Sequence, residues 1–166
     1  MTLRELTVRY TARKGSDGWP VAVSRSVASP RDAAAAFMAT LQDEPGEVFA
    51  ILCRSTKNRV IAYHEVSRGT LDSTLVHPRE LFKAALLANA ASIIAAHNHS
   101  SGDPAPSADD VALTTRLAAA GELIGIPVTD HISSARATTT PSGRRAGWRA
   151  GDNMLVPGKT NRGITC

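Results

Sequence analysis

Two histidines separated by one residue are the clearest candidates for chemistry in this chain. His97 and His99 follow an apolar run, and residues two apart on an extended backbone project from the same face. Asp110 comes eleven residues after His99, at the start of a predicted helix. Two imidazoles and one carboxylate are the ligand set of a catalytic zinc site, with a fourth position open for water. On spacing alone, a polar loop that binds no metal is the alternative.

Asp109 is an alternative to Asp110 as the carboxylate ligand, and Asp110 could also have a purely structural role. Asp109 would project about 100° away around the helix, so only one of the pair faces the histidines, and we assign the ligand to Asp110. Ser107 and Asp110 also match a Ser-x-x-Asp capping box, which stabilises a helix N-terminus without any catalytic role. Both functions are compatible, because a hydroxyl near the positive end of a helix dipole is suited to stabilise an oxyanion.

A further carboxylate lies in a predicted strand. Glu65 has Ile61, Tyr63 and Val66 as apolar neighbours, where an ionised side chain needs a reason to be present. As a general base, Glu65 would take a proton from a water whose pKa a metal has lowered, and later return it to a leaving nitrogen. His64 points to the opposite face and is excluded from that role. The alternative is that Glu65 is an ordinary surface residue of the strand.

Strands and helices alternate around these residues. A period of two predicts a first strand at Leu3–Tyr10, and Ser29-Pro30 is typical of a helix start. The elements predicted after it are a helix to Leu41, strands over 48–53 and 59–67, a helix from Pro78 to about Ala90, a strand over 92–96, a helix from Ser107 to about Leu123 and a strand over 126–132. This order predicts an α/β fold, with the two histidines at the end of a strand, where such folds commonly bind ligands.

Composition narrows the functional classes. With 166 residues, 43% of them hydrophobic and 20% charged, the chain has the size and composition of one soluble domain. No apolar segment approaches the roughly 18 residues of a membrane-spanning helix. The first residues lack the apolar core of a secretory signal, so we expect a cytoplasmic protein without membrane contact. The cysteines Cys53 and Cys166 do not predict a disulfide framework.

The net charge of +4 is concentrated near the C-terminus. Five basic residues and one acidic residue follow Gly143, so the first 143 residues carry 14 charges of each sign. We predict a folded domain over 1–135 and a basic, glycine-punctuated, poorly ordered tail over 136–166. Any contact with DNA is expected through that tail rather than through the neutral domain.

Taken together, the motifs resemble those of the RadC family, a bacterial branch of the JAMM (or MPN) metalloprotease-like domains. The resemblance covers residues from about 58 to 132. The matching residues are Glu65, Gly69-Thr70-Leu71, His77-Pro78-Arg79-Glu80, the segment from His97 to Pro104, Pro106-Ser107, Asp110 and Asp130-His131. The resemblance implies a cytidine-deaminase-like α/β sandwich, in which helices flank a mixed β-sheet.

The resemblance also implies an activity. One zinc ion per chain would be held by His97, His99 and Asp110, with Glu65 as acid/base and Ser107 assisting the tetrahedral intermediate. The reaction in that family setting is amide or isopeptide hydrolysis by a metal-activated water. The expected partner is therefore a peptide or protein substrate, and the protein is expected to be a zinc metallopeptidase.

The C-terminal end of the matching region contains one more candidate site residue, and the sequence after it differs from that of the family. Asp130 either orients a ligating histidine from behind or forms a salt bridge with a nearby arginine. After Ile132, members of the family continue with apolar residues and a further hairpin, whereas Ser133-Ser134-Ala135 stands here. We therefore expect a closing strand to be lost and a sheet edge to be exposed. Ser100 also replaces a proline that is common in the family.

Two alternative functions belong to other classes. A protein of DNA repair or of a mobile element would bind phosphates through the basic tail, with a steep dependence on salt. A catalytically inactive relative would result if the altered C-terminus abolished activity. A zinc deaminase is disfavoured, because the chain lacks the paired cysteines of that site.

Overall fold

A computed structural model describes this protein at residues 26–41, 44–69, 76–99 and 105–135. The elements are α1 (Pro30–Leu41), β1 (Glu47–Arg54), β2 (Val60–Gly69), α2 (Pro78–Leu87), β3 (Ser92–His99), α3 (Ala108–Ile124) and β4 (Val128–Ala135). From α1 onward, the predicted order of helices and strands is confirmed. The predicted strand Leu3–Tyr10 and the predicted tail over 136–166 lie outside the described residues. Among the described helices, none is long and apolar enough to cross a membrane.

The four strands form one mixed sheet in the order β2-β1-β3-β4. β1 is antiparallel to both of its neighbours, whereas β3 and β4 are parallel. The parallel pair is joined through α3, as a crossover between parallel strands requires. This arrangement confirms the predicted α/β class with helices flanking a mixed sheet.

Apolar side chains cover both faces of the sheet. Phe49, Ile51 and Cys53 of β1 point to one face, which we call the α2/α3 face because those helices pack there. Ala50 and Leu52 point to the other, the α1 face. The helix residues buried in these two clusters are Leu81, Phe82, Ala85, Leu117 and Ala118 on the α2/α3 face and Ala33, Ala34, Ala36, Phe37 and Leu41 on the α1 face. Because it is covered on both sides, β1 has a continuous apolar sequence rather than an alternating one.

Two of the strands, β3 and β4, continue beyond their predicted C-terminal ends next to the histidines. β3 continues through His97 and ends at His99. The prediction that the last strand ends at Ile132 is wrong, because β4 continues to Ala135. Ser133 and Ser134 are 0% and 1% exposed, and the parallel ladder pairs them with His97 and Asn98. Serine can occupy a buried strand position as an apolar residue does, provided that the serine hydroxyl has a hydrogen-bond partner, because the ladder is formed by backbone groups. The predicted loss of a closing strand concerns residues outside the described ranges.

The C-terminal end of α3 approaches the strand that follows it very closely. Gly125 has φ +80° and ends the helix in a left-handed conformation that favours glycine. One turn earlier, Gly121 is buried, and a Cβ added there would lie 2.7 Å from the carbonyl oxygen of Ile126 and 3.2 Å from the ring of Phe82. The absence of a side chain at Gly121 therefore fixes how closely α3 packs on β4 and α2.

We predict that Gly121→Ala destabilises the fold. Glycine to alanine inside a helix normally stabilises it by about 1 kcal/mol, but here the methyl group meets a backbone carbonyl. We expect the free energy of unfolding in urea to fall by roughly 1–3 kcal/mol, the usual effect of overpacking. An unchanged or increased stability would show that this contact does not constrain the packing of α3.

Candidate metal centre

The end of β3 and the beginning of α3 bring three potential ligands together. The Nε2 atoms of His97 and His99 are 2.6 Å apart. The carboxylate of Asp110 lies 3.1 Å from Nε2 of His97 and 3.4 Å from Nε2 of His99. Among the described residues, these three form the one group of histidine, cysteine or acidic side chains close enough to share a metal ion. Their side chains are 9%, 13% and 17% exposed, so the group borders solvent.

A chain of hydrogen bonds behind His97 fixes which of its ring nitrogens carries the proton. The hydroxyl of Thr114 donates to the carbonyl oxygen of Asp110 at 2.6 Å, so its oxygen must accept from Nδ1–H of His131, also at 2.6 Å. Burial lowers the pKa of His131 to about 3, so its ring is neutral and Nε2 carries no proton. Nε2 of His131 therefore accepts from Nδ1–H of His97, 3.0 Å away.

This proton arrangement makes the three ligands suited to a cation. Because Nδ1 of His97 holds its proton, the lone pair of Nε2 points at the carboxylate of Asp110 and at His99. Acceptor atoms that face each other at 3.1 and 3.4 Å repel unless positive charge lies between them. A tetrahedral zinc site, with bonds of about 2.0–2.1 Å, separates its ligand atoms by about 3.3 Å. The residues present thus fit zinc, provided that the two imidazoles separate by roughly 0.7 Å.

Ser107 and Asp110 form the predicted capping box. The hydroxyl and the backbone N–H of Ser107 donate to Oδ2 of Asp110, at 2.6 and 2.7 Å, and N–H of Asp110 donates back to the hydroxyl at 3.1 Å. This complete capping box begins α3 and holds the carboxylate toward the histidines. Burial raises the pKa of Asp110, but the contacts of its carboxylate with the rings of His97 and His99 and the hydrogen bond from Ser107 lower it far below the usual range. Asp109 is exposed and stands outside the group.

The residue that supports His97 from behind is His131 rather than Asp130. Oδ1 of Asp130 accepts from the backbone N–H of His131 at 2.9 Å, and burial raises the pKa of Asp130 against the opposing charge of Arg54. Asp130 pairs with Ile94 and His131 with Ala95, so the two side chains lie on opposite faces of β4. The structure therefore does not place Asp130 against a ligating histidine.

Glu65 is not brought to the ligands. β2 pairs Glu65 with Ala50, a residue of the α1 face, whereas His97 pairs with Phe49 on the α2/α3 face. A β-bulge between Phe49 and Ala50 sets this register on β2. The carboxylate of Glu65 is bound by Arg68, with N–O distances of 2.7 and 2.9 Å, and Arg68 also binds Glu44. Here the expected acid/base is a surface strand residue in an ion pair.

The register of β1 and β3 offers another carboxylate, which sequence reasoning missed. Phe49 pairs with His97 in this antiparallel ladder. The ladder ends at this pair, and β1 begins with Glu47 at the end of the sheet where β3 ends with His99. Alternation along β1 gives Glu47 the same face as Phe49. The signal in the sequence is an acidic residue directly before a buried strand. Its meaning depended on knowing that β1 and β3 are neighbours and run in opposite directions.

The neutral state of His131 makes stability fall in mild acid. An unfolded histidine has a pKa of about 6.5, whereas the folded pKa of His131 is about 3. Between these values the unfolded chain binds more protons, so stability is complete above pH 6.5 and is lost as the pH falls. For protein freed of metal by a chelator, we expect His131 to reduce the free energy of unfolding by about 2 kcal/mol between pH 7.5 and 5.

Titration of the histidine ring signals by NMR measures this effect directly. The ring of His131 is expected to stay unprotonated down to pH 4 or below in the folded protein, and His131→Gln is expected to flatten the loss of stability above pH 5. A ring that titrates near pH 6.5 would contradict the proton arrangement described above.

Comparisons with known proteins agree with the fold. The sequence model of the RadC-like JAB domain matches residues 27–144. A UPF0758 protein of Desulforamulus reducens is 53% identical over 103 residues, which are 62% of this chain and 45% of that relative. A UPF0758 protein of Clostridium kluyveri is 42% identical over 132 residues, 80% of this chain and 55% of the relative.

A UPF0758 protein of Methanosarcina barkeri is 44% identical over 108 residues, 65% of this chain and 47% of the relative. The chain spans about half the length of the curated relatives it matches, and their names give a family designation without an activity. By the extent of the family match and the identity of these relatives, the chain belongs to the RadC family and contains its RadC-like JAB domain.

Proposed function

We propose that this domain is a zinc-dependent hydrolase of amide or isopeptide bonds, with Glu47 as its acid/base. The observation that carries the proposal is the convergence of the His97, His99 and Asp110 acceptor atoms beside solvent. The hydrogen-bond chain through His131 orients His97 as a ligand. The substrate class rests on the resemblance to JAMM domains.

The positions of the side chains suggest a separate role for the metal ligands and for Glu47. A zinc ion held by these three ligands would supply a Lewis acid and lower the pKa of a water molecule at its open position. The carboxylate of Glu47 would accept a proton from the attacking water and pass it to the departing amine nitrogen. Glu47 is suited to this because it begins β1, at the sheet edge where β3 ends, and is half-buried on the ligand face.

Ser107 has a second task in the proposal. Its hydroxyl donates to Asp110 in this structure. To stabilise the developing oxyanion, the hydroxyl would have to rotate away from Asp110 and toward the substrate. The N-terminus of α3, where Ser107 is the N-cap and Asp110 lies in the first turn, adds the positive end of a helix dipole at that point. Phe49, stacked on His97 with ring centroids 6.0 Å apart and 3% exposed, forms an apolar wall that limits water behind the ligands.

The matched variants Glu47→Gln and Glu65→Gln test this assignment. The assay presents zinc-loaded protein with a peptide library and with a lysine carrying an amide-linked glycine on its ε-nitrogen, and mass spectrometry detects cleavage. We expect Glu47→Gln to reduce the rate by at least about 10²-fold, the contribution of a general acid/base. Glu65→Gln, which removes an exposed ion pair, is expected to stay within about threefold.

Zinc content and circular dichroism of both variants serve as controls, because neither residue is a proposed ligand. A rate that depends on Glu65 and not on Glu47 would contradict the assignment. A wild-type protein that binds zinc and cleaves none of these substrates would contradict the proposed substrate class.

A further inference from the structure

Asn98 lies between the two ligating histidines and points away from them. Alternation along β3 turns its side chain to the α1 face, where it is 2% exposed. Asn98 is therefore not a candidate ligand, although it lies between two candidate ligands in the sequence. A polar side chain buried to this extent must have its donors and acceptors bonded, so its partners indicate its purpose.

The amide of Asn98 bonds to the backbone on both sides of Glu47. Its Oδ1 accepts from N–H of Val48 at 2.7 Å, and its Nδ2 donates to the carbonyl oxygen of Gly46 at 2.9 Å. The two groups belong to the residues that precede and follow Glu47 in the chain. One side chain thus fixes the peptide units that set the position and direction of the Glu47 carboxylate.

These bonds begin where the regular ladder between the strands ends. β1 and β3 are paired from Arg54 and Ser92 as far as Phe49 and His97. At the next position the side-chain amide of Asn98 connects the two strands in place of the backbone ladder. The amide therefore helps to determine where the first residues of β1, Glu47 among them, lie relative to the end of β3.

We propose that Asn98 is a positioning residue that sets the spacing between Glu47 and the His97, His99 and Asp110 ligands. This inference rests on the proposed function, since it takes Glu47 as the acid/base. Asparagine suits the position because the site needs an acceptor for Val48 and a donor for Gly46 at once. Aspartate has no donor and would bury a charge, and serine is too short to reach both groups.

A double-mutant cycle with cobalt in place of zinc tests the proposal. The visible absorption of Co²⁺ reports the ligands and the groups that contact the open position, independently of any substrate. We expect Asn98→Ala to bind one Co²⁺ per chain and to shift the absorption band in the same direction as Glu47→Gln. In the Glu47→Gln background, Asn98→Ala is expected to cause no further shift, because it acts through that carboxylate.

Hydrolysis gives a second reading of the same cycle. A displacement of about 1 Å can cost roughly 10²-fold in rate, so we expect Asn98→Ala to reduce kcat by about 10- to 100-fold in the wild-type background. In the Glu47→Gln background we expect less than a twofold effect. If Asn98→Ala does not fold, Asn98→Asp, which keeps the acceptor for Val48, takes its place in the cycle.

Thr129→Val is the matched control for a general loss of stability. The Thr129 hydroxyl accepts from Arg54 at 2.7 Å and donates to the carbonyl oxygen of Ile93 at 3.1 Å, at the other end of β3. It is expected to lower the melting temperature without moving the cobalt band. The proposal is overturned if Asn98→Ala leaves the wild-type band unchanged, shifts it equally in both backgrounds or abolishes cobalt binding. A wild-type protein that binds no cobalt would instead overturn the proposed function.

Discussion

The candidate site depends on the direction in which protons are donated along one buried chain of side chains. The carbonyl oxygen of Asp110 fixes the hydroxyl of Thr114, that hydroxyl fixes the ring of His131, and His131 fixes His97. Once one group of this chain is assigned as donor or acceptor, the hydrogen-bond direction of the next group is determined. The chain begins on the backbone of one candidate ligand and ends on the side chain of another, so α3, β4 and β3 orient the ligands together.

The topology of the sheet explains why so few elements build the site. The parallel strands β3 and β4 end at the same edge, and the crossover helix α3 starts there, so its capping box meets the histidines. β1 runs in the opposite direction and therefore begins at that edge, which brings Glu47 to it. Two histidines, the aspartate of the α3 capping box and one glutamate therefore lie at the same edge of the sheet, although their elements are distant in sequence.

Sequence reasoning succeeded where the relation between residues is local. His97 and His99 share a face because the strand has a period of two, and Ser107 and Asp110 meet because a capping box spans one helical turn. It could not choose between the two roles left open for Glu65 and for Asp130, because their positions depend on which strands are neighbours and on the register between them. A shift of one residue moves a side chain to the other face. His131 follows Asp130 directly in the sequence, yet it lies on the ligand face.

The central claim is that His97, His99 and Asp110 hold one zinc ion. Its most direct test is the zinc content per chain, by elemental mass spectrometry, of the wild type and of His97→Ala/His99→Ala after incubation with zinc and removal of free metal. The account predicts one zinc per wild-type chain and none in the variant, with circular dichroism showing that both are folded. A folded wild type that retains no zinc, or a variant that retains as much as the wild type, would contradict it.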